Sequence, residues 1–176
     1  MTIQDNQDRY GKVSRFLHWG MALLIIWQFL GASAHFFFDE TPVEAFFWPT
    51  HKPVGFLILL LMVVRVIWAL LNISKRPQSI NWLAKLGHIA LYLLLIAVPT
   101  VALIRQYGSG RAFEVFGVPI FEGFDSGKIS WMTDLGSNFH SLLGWVLLAL
   151  IVGHIVMAIW HRKNGQSNVI ARMWGK

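Results

Sequence analysis

Four long, uninterrupted apolar runs constrain this chain more than any other feature: roughly residues 16–38, 53–73, 83–104 and 137–160. A helix needs about 20 mostly apolar residues to cross the hydrocarbon core of a bilayer, and each run reaches that length. The runs are continuously apolar rather than alternating, which excludes a transmembrane β-barrel. Gly31, Pro99, Gly144 and Gly153 fall inside them, where neighbouring helices re-satisfy the backbone groups such residues leave free. A soluble fold fails on charge. Of 176 residues, 55% are hydrophobic and 14% charged, against about 25% charged in ordinary globular chains, and the mean hydropathy is +0.52. With no internal repeat, the expectation is an all-α integral membrane four-helix bundle, a single domain over residues 1–176 surrounded by lipid.

Basic residues orient the bundle. With both termini on one side, that side holds Arg9, Lys12, Arg15, Lys75, Arg76, Lys85, Arg162, Lys163, Arg172 and Lys176. The other holds Lys52, Arg105, Arg111 and Lys128, and Arg65 falls inside a span. Ten against four puts both termini in the cytoplasm by the positive-inside rule. Seven acids (Asp39, Glu40, Glu44, Glu114, Glu122, Asp125 and Asp134) then lie outside. The net charge of +6 sits on the cytoplasmic rim, where topology and anionic lipid account for it, so no nucleic-acid partner is expected. Ala32-Ser33-Ala34 has the form of a signal-peptide cleavage site, but the preceding run is longer than such a signal's apolar core. The first span is expected to be retained.

Cysteine is absent, which removes disulfides, thiolate-held clusters and covalently attached haem together. Seven histidines remain as strong ligands. His140 and His154 lie 14 residues apart in the fourth run, so on a helix they share a face within roughly 40° and differ in depth by about 21 Å. His51 opens the second run on the outside and His18 opens the first on the inside. Each fourth-run histidine therefore has a candidate partner at its own depth, although His88 in the third run matches His154 as well as His18 does. Facing imidazoles at two depths suit two b-type haems held by axial ligands from two helices; zinc would need more ligands at each level.

Smaller features fit this pattern. Gly55 and Gly144 each follow a histidine by four residues, on the same face, leaving room for a porphyrin. Arg65 follows His51 by 14 residues, at the depth of His154, where a haem propionate would pair with it. Pro49 and Pro53 flank His51 and predict a bend in the backbone that carries it. His35 ends the first run on a solvated edge, and no role follows from its position. His161, two turns beyond His154, reads equally as a surface residue or as a proton donor beside an inner site.

The sequence resembles the bacterial cytochrome b-561 family of di-haem membrane proteins. The likeness is carried by Phe16-Leu17-His18-Trp19, by His51 with Leu61-Met62-Val63-Val64-Arg65, by Leu86-Gly87-His88-Ile89-Ala90-Leu91-Tyr92, and by His140 and His154. The resemblance implies that His18 and His154 ligate the inner haem and His51 and His140 the outer one. It also implies a bacterial inner-membrane cytochrome. Members are similar to superoxide oxidase, which takes electrons from periplasmic superoxide and reduces ubiquinone. Relatives of the wider class pass electrons between quinone and a periplasmic dehydrogenase or hydrogenase.

The functional expectation is electron transfer from an outer donor, through two haems, to ubiquinone on the cytoplasmic side. His161, Lys75 and Arg76 would face the quinone headgroup. Lys52, Arg105 and Arg111 would steer superoxide, although acids outnumber bases outside. The aromatic loop from Arg105 to Gly136 would cover or present the outer haem. The rival from a different class is a haem-free transporter or assembly protein whose histidines bind protons or metal.

Overall fold

A computed structural model describes residues 2–164 and 169–174. Four helices are long and apolar enough to cross a membrane. Helix α1 spans Lys12–Phe37 and the short α2 spans Pro42–Phe47; a 3-10 turn, Trp48–Thr50, then leads into α3, His51–Leu71. Helix α4 covers Trp82–Gly108, α5 covers Ser130–Lys163 and the short α6 covers Val169–Trp174. Between α4 and α5 lies a small antiparallel hairpin, β1 (Phe113–Val115) and β2 (Val118–Phe121).

Local chemistry explains where these elements begin. The Asn81 side chain accepts a bond from the Ala84 N–H (2.8 Å) and caps α4, satisfying one of the free donors of a helix start. Pro53 sits in the first turn of α3, where a missing N–H costs nothing. The two prolines therefore frame a helix start, and the irregular backbone is confined to the 3-10 turn before His51. In the hairpin, Phe116 and Gly117 both have positive φ (51° and 81°), the geometry of a two-residue turn that follows the twist of the strands.

The four long helices close around an apolar core of Met21, Val54, Ile58, Met62, Leu95 and Leu147, drawn from all four. Leu23, Ile26, Leu30, Ile67, Leu93 and Val156 remain exposed, the apolar outer surface that lipid requires. Helices α4 and α5 approach most closely near the hairpin. A Cβ at Gly136 would overlap the Arg105 stem, and one at Gly108 would overlap Met132; small residues allow such close backbone approach between membrane helices.

Residues 2–11 and α6 lie at one end of the bundle, here the terminal end; the opposite one is the hairpin end. At the terminal end the N-terminal segment folds back on the helices. The Asp5 carboxylate is fully buried, pairs with Arg76 (3.0 Å) and accepts from the Gly11 N–H (2.8 Å). Burial works most strongly against the Arg76 charge, yet the hydrogen bond to Asp5 together with Tyr92 and Tyr10 outweighs it, and the guanidinium pKa is raised. Helix α6 docks beside this segment, its Met173 carbonyl accepting from Trp19 Nε1 (3.1 Å).

Candidate functional site

Two histidine pairs face each other between helices, one at each end of the bundle. At the hairpin end, the rings of His51 (α3) and His140 (α5) have centroids 6.2 Å apart at an interplanar angle of 89°. At the terminal end, His18 (α1) and His154 (α5) stand 6.4 Å apart at 67°. All four are half-buried. Leu147 lies midway between His140 and His154 along α5, so the apolar core separates the two levels.

Ring spacing tests what such pairs could hold. Imidazoles bound on opposite sides of one metal atom have centroids about 6–6.5 Å apart, given metal–nitrogen bonds of about 2.0–2.1 Å. Both pairs fall within that interval. His88 approaches His154 more closely, at 5.2 Å, too near for a ligand on the far side of the same atom. His88 is also exposed.

Hydrogen bonds to the ring nitrogens add a second test. A ligating histidine ordinarily donates its other N–H to a carbonyl or carboxylate. His140 does so, with Nδ1 3.0 Å from the Val98 carbonyl oxygen, which leaves Nε2 for a metal. His88 makes the same kind of bond to the Ala84 carbonyl (2.7 Å). His51 Nδ1 is buried without a hydrogen-bond partner. His18 differs, because Arg65 Nη2 lies 3.1 Å from its Nδ1. Arginine only donates, so His18 Nδ1 accepts here, and metal binding through Nε2 requires Arg65 to turn away. Arg65 also donates from Nε to the Tyr92 hydroxyl (3.1 Å). A guanidinium so placed could swing to a propionate.

The glycines expected to leave space behave differently. A Cβ at Gly144 would meet nothing within 4 Å, a cradle beside His140. At Gly55 it would meet the Gln28 amide at 3.1 Å, and that amide donates to the His51 carbonyl (2.9 Å). Gly55 thus makes room for a supporting side chain.

The remaining candidate residues divide by end. Lys52 donates to Gln106 Oε1 (3.0 Å), and the same Gln106 amide reaches the Arg111 and Ala112 carbonyls. Gln106 thus ties the Lys52 ammonium to the Arg111 backbone, while the Arg105 stem packs over Gly136. At the terminal end, Lys75 donates to Gln4 (2.7 Å) and Arg76 to Asp5. His161 is buried in the last turn of α5. An apolar groove of about 480 Å³ opens between α1 and α3 there, lined in part by Lys12, Phe16, Leu17, Val64 and Trp68. The loop from Arg105 to Gly136 contains the end of α4, the hairpin and the start of α5.

Several contributors were not singled out from the sequence. Trp48 stacks on His51 (4.7 Å, 29°) and on His35 (3.7 Å, 12°), forming a column from the surface to a candidate ligand. The Trp-Pro-Thr-His run was the available signal, since a tryptophan three residues before a helix-opening histidine shares its side of the turn. Gln28 and Tyr92 are single polar groups within apolar runs, a signal that such residues bond across helices.

Comparison with known proteins supplies the family. A family profile described as "Prokaryotic cytochrome b561" matches residues 9–176. The chain is 28% identical over 191 aligned positions to "Cytochrome b561 homolog 2" of Escherichia coli (strain K12), covering 100% of this chain and 96% of that one. It is 26% identical over 175 positions to "Probable superoxide oxidase CybB" of Yersinia pestis, covering 96% and 97%. Four membrane-crossing helices and a match over almost the whole length place the chain in the prokaryotic cytochrome b561 family, multi-pass membrane cytochromes that bind b-type haem and serve electron transport.

Proposed function

We propose that this cytochrome holds two b-type haems and carries electrons from an outer donor to ubiquinone in the bacterial inner membrane. His51 and His140 would hold one haem at the hairpin end; His18 and His154 would hold the other at the terminal end. The observation that carries this reading is the pair of ring separations, 6.2 and 6.4 Å, recurring about 21 Å apart along one helix. One-electron transfer is the chemistry the haems supply when bound. The excess of basic residues at the terminal end supports a cytoplasmic location for both termini.

Superoxide is the donor class favoured by the relative's name, "Probable superoxide oxidase CybB". Two superoxide anions would each give up one electron and leave as dioxygen, while ubiquinone takes two electrons and two protons. At the hairpin end, Lys52 and Arg111, linked through Gln106, would attract the anion, with Arg105 beside them. At the terminal end, the groove between α1 and α3 offers an apolar bed for the quinone tail. Lys75, held by one exposed hydrogen bond, would turn to the headgroup more readily than Arg76, which Asp5 occupies. His161, buried in the last turn of α5, would deliver protons. Arg65 would leave His18 and neutralise a propionate.

A second reading keeps the haems and changes the donor. The outer loops carry seven acids against four bases, which favours docking of a basic periplasmic dehydrogenase or hydrogenase over capture of an anion. Membership of a haem-binding family removes the haem-free transporter reading.

The test is haem quantitation followed by a superoxide flux. Two extractable haems per chain, reduced by superoxide alone and reoxidised by ubiquinone, are expected. His161→Ala should slow the quinone step and spare the superoxide step. One haem per chain would end the pairing; two haems that stay oxidised under superoxide yet accept electrons from a periplasmic protein would select the second reading.

A further inference from the structure

Outside the histidine pairs, one cluster of ligand-type side chains remains without a function. His35 ends α1, Asp39 lies in the turn that follows, and Glu44 sits in the first turn of α2. His35 Nδ1 is 2.6 Å from Glu44 Oε1 and 3.8 Å from Asp39 Oδ1. One donor atom from each of the three residues lies within 4.8 Å of the other two.

The cluster is more than a patch of acids. Its imidazole is held by a group outside the cluster, because His35 stacks face to face on Trp48 (3.7 Å, 12°). That contact fixes the plane of the ring, and within it Nδ1 faces both carboxylates. Glu44 is aimed from its far side by the Glu40 N–H, which donates to Oε2 (2.8 Å). Among the described residues, no Lys or Arg forms a salt bridge with Asp39 or Glu44. Two carboxylates thus share one histidine, and even a protonated imidazole would balance only half their charge.

We propose that His35, Asp39 and Glu44 bind one divalent first-row transition metal ion at the hairpin end. One imidazole nitrogen and two carboxylate oxygens are a mixed donor set suited to Zn²⁺, Cu²⁺ or Mn²⁺. A neutral imidazole and two carboxylates together cancel the charge of a divalent ion. Three protein ligands leave at least one position for water. The geometry is close to assembled, since bringing the three donors onto one ion requires the His35–Glu44 hydrogen bond to open and Asp39, 67% exposed, to turn inward. The site shares no residue with either histidine pair, touches the His51 level only through Trp48, and does not depend on the proposed electron donor.

The experiment titrates Zn²⁺ into the purified holoprotein in detergent, followed by isothermal calorimetry. One ion per chain at micromolar concentration is expected. Glu44→Gln and His35→Ala should each weaken binding by about tenfold or more, with the haem absorption spectrum unchanged as the control for folding. Asp39→Asn, at the most exposed position, gives a third variant least able to disturb the fold. Electron paramagnetic resonance of the Cu²⁺-loaded protein should show coupling to one imidazole nitrogen, lost in His35→Ala. Binding only at millimolar concentration, or equal affinity in all three variants, would overturn the site and leave His35 as an ion-pair partner alone.

Discussion

The two ends of this bundle present the same histidine spacing in different surroundings. At the terminal end, the His18–His154 pair has a third histidine, an arginine and a tyrosine within reach, under a folded-back N-terminal segment pinned by a buried ion pair. At the hairpin end, the His51–His140 pair is flanked by Trp48 and His35 in a stacked column. Immediately around the ring pairs, polar hydrogen-bonding groups gather at the terminal end and stacked aromatic rings at the hairpin end, with an apolar core between them. The proposed electron path, from a donor at one face to a proton-accepting quinone at the other, would use this asymmetry. Protons require a polar network; an electron donor requires only close approach.

The strongest way to break the comparison is to remove one level. His140→Ala should lower haem content from two to one by losing the hairpin-end haem, and His154→Ala should lose the other; redox titration of each variant would show which remains. If both variants lose the same haem, the two ends are not separate sites. Nearly as large is the choice between His18 and His88. Ring spacing favours His18, whereas the hydrogen bond at Nδ1 favours His88. His18→Ala should abolish one haem and His88→Ala should keep both, measured by haem quantitation; the reverse would show that the carbonyl bond outweighs spacing.

The ion pairs at the two ends should differ in what they hold together. Asp5→Ala strands Arg76 and the Gly11 N–H. Loss of one partner of a fully buried pair costs about 3–5 kcal/mol, and with Arg76 21% exposed a loss of roughly 2 kcal/mol is expected by thermal or denaturant unfolding. Glu44→Gln, in the more open hairpin-end cluster, should destabilise the fold less than Asp5→Ala in the same measurement. Arg65→Leu sharpens the contrast further. Removing a cation near His18 should lower the terminal-end midpoint potential by tens of millivolts, on the order expected for one partly screened charge, and leave the hairpin-end potential in place. The smallest effect is steering. Lys52→Glu or Arg111→Glu should slow haem reduction by superoxide a few-fold at low salt, and the difference should shrink as salt rises.

Much of this was legible because lipid imposes a simple code. Continuous apolar runs located four helices, and the structure extends them mainly where polar residues leave the membrane. The first turns of α5, Ser130 to Gly136, escaped notice because Thr133 and Asp134 interrupt the apolar run. Helical periodicity placed His140 and His154 on one face, and depth supplied their partners. The choice between His18 and His88 did not follow, because it depends on interhelical distance and ring orientation. His35 looked idle because its partners are non-local: Glu44 lies nine residues on, across a turn, and Trp48 reaches it only after α2 reverses the chain. The hairpin rests on a Phe-Gly turn, without the Asn-Gly or Asp-Gly signature that marks such turns best.

That His140 and His154 ride on a single 34-residue helix makes α5 a ruler whose graduations are peptide units. Deleting one residue between them would swing His154 by about 100° and bring it about 1.5 Å nearer, off the axis it shares with His18. Inserting four residues would rotate it by only about 40° while lengthening the gap by about 6 Å. Indels in this stretch should therefore be tolerated in steps near a full helical turn and refused in single units. Loops elsewhere in the chain carry no such quantised spacing, so drift in length can accumulate there without disturbing the alignment of the two levels.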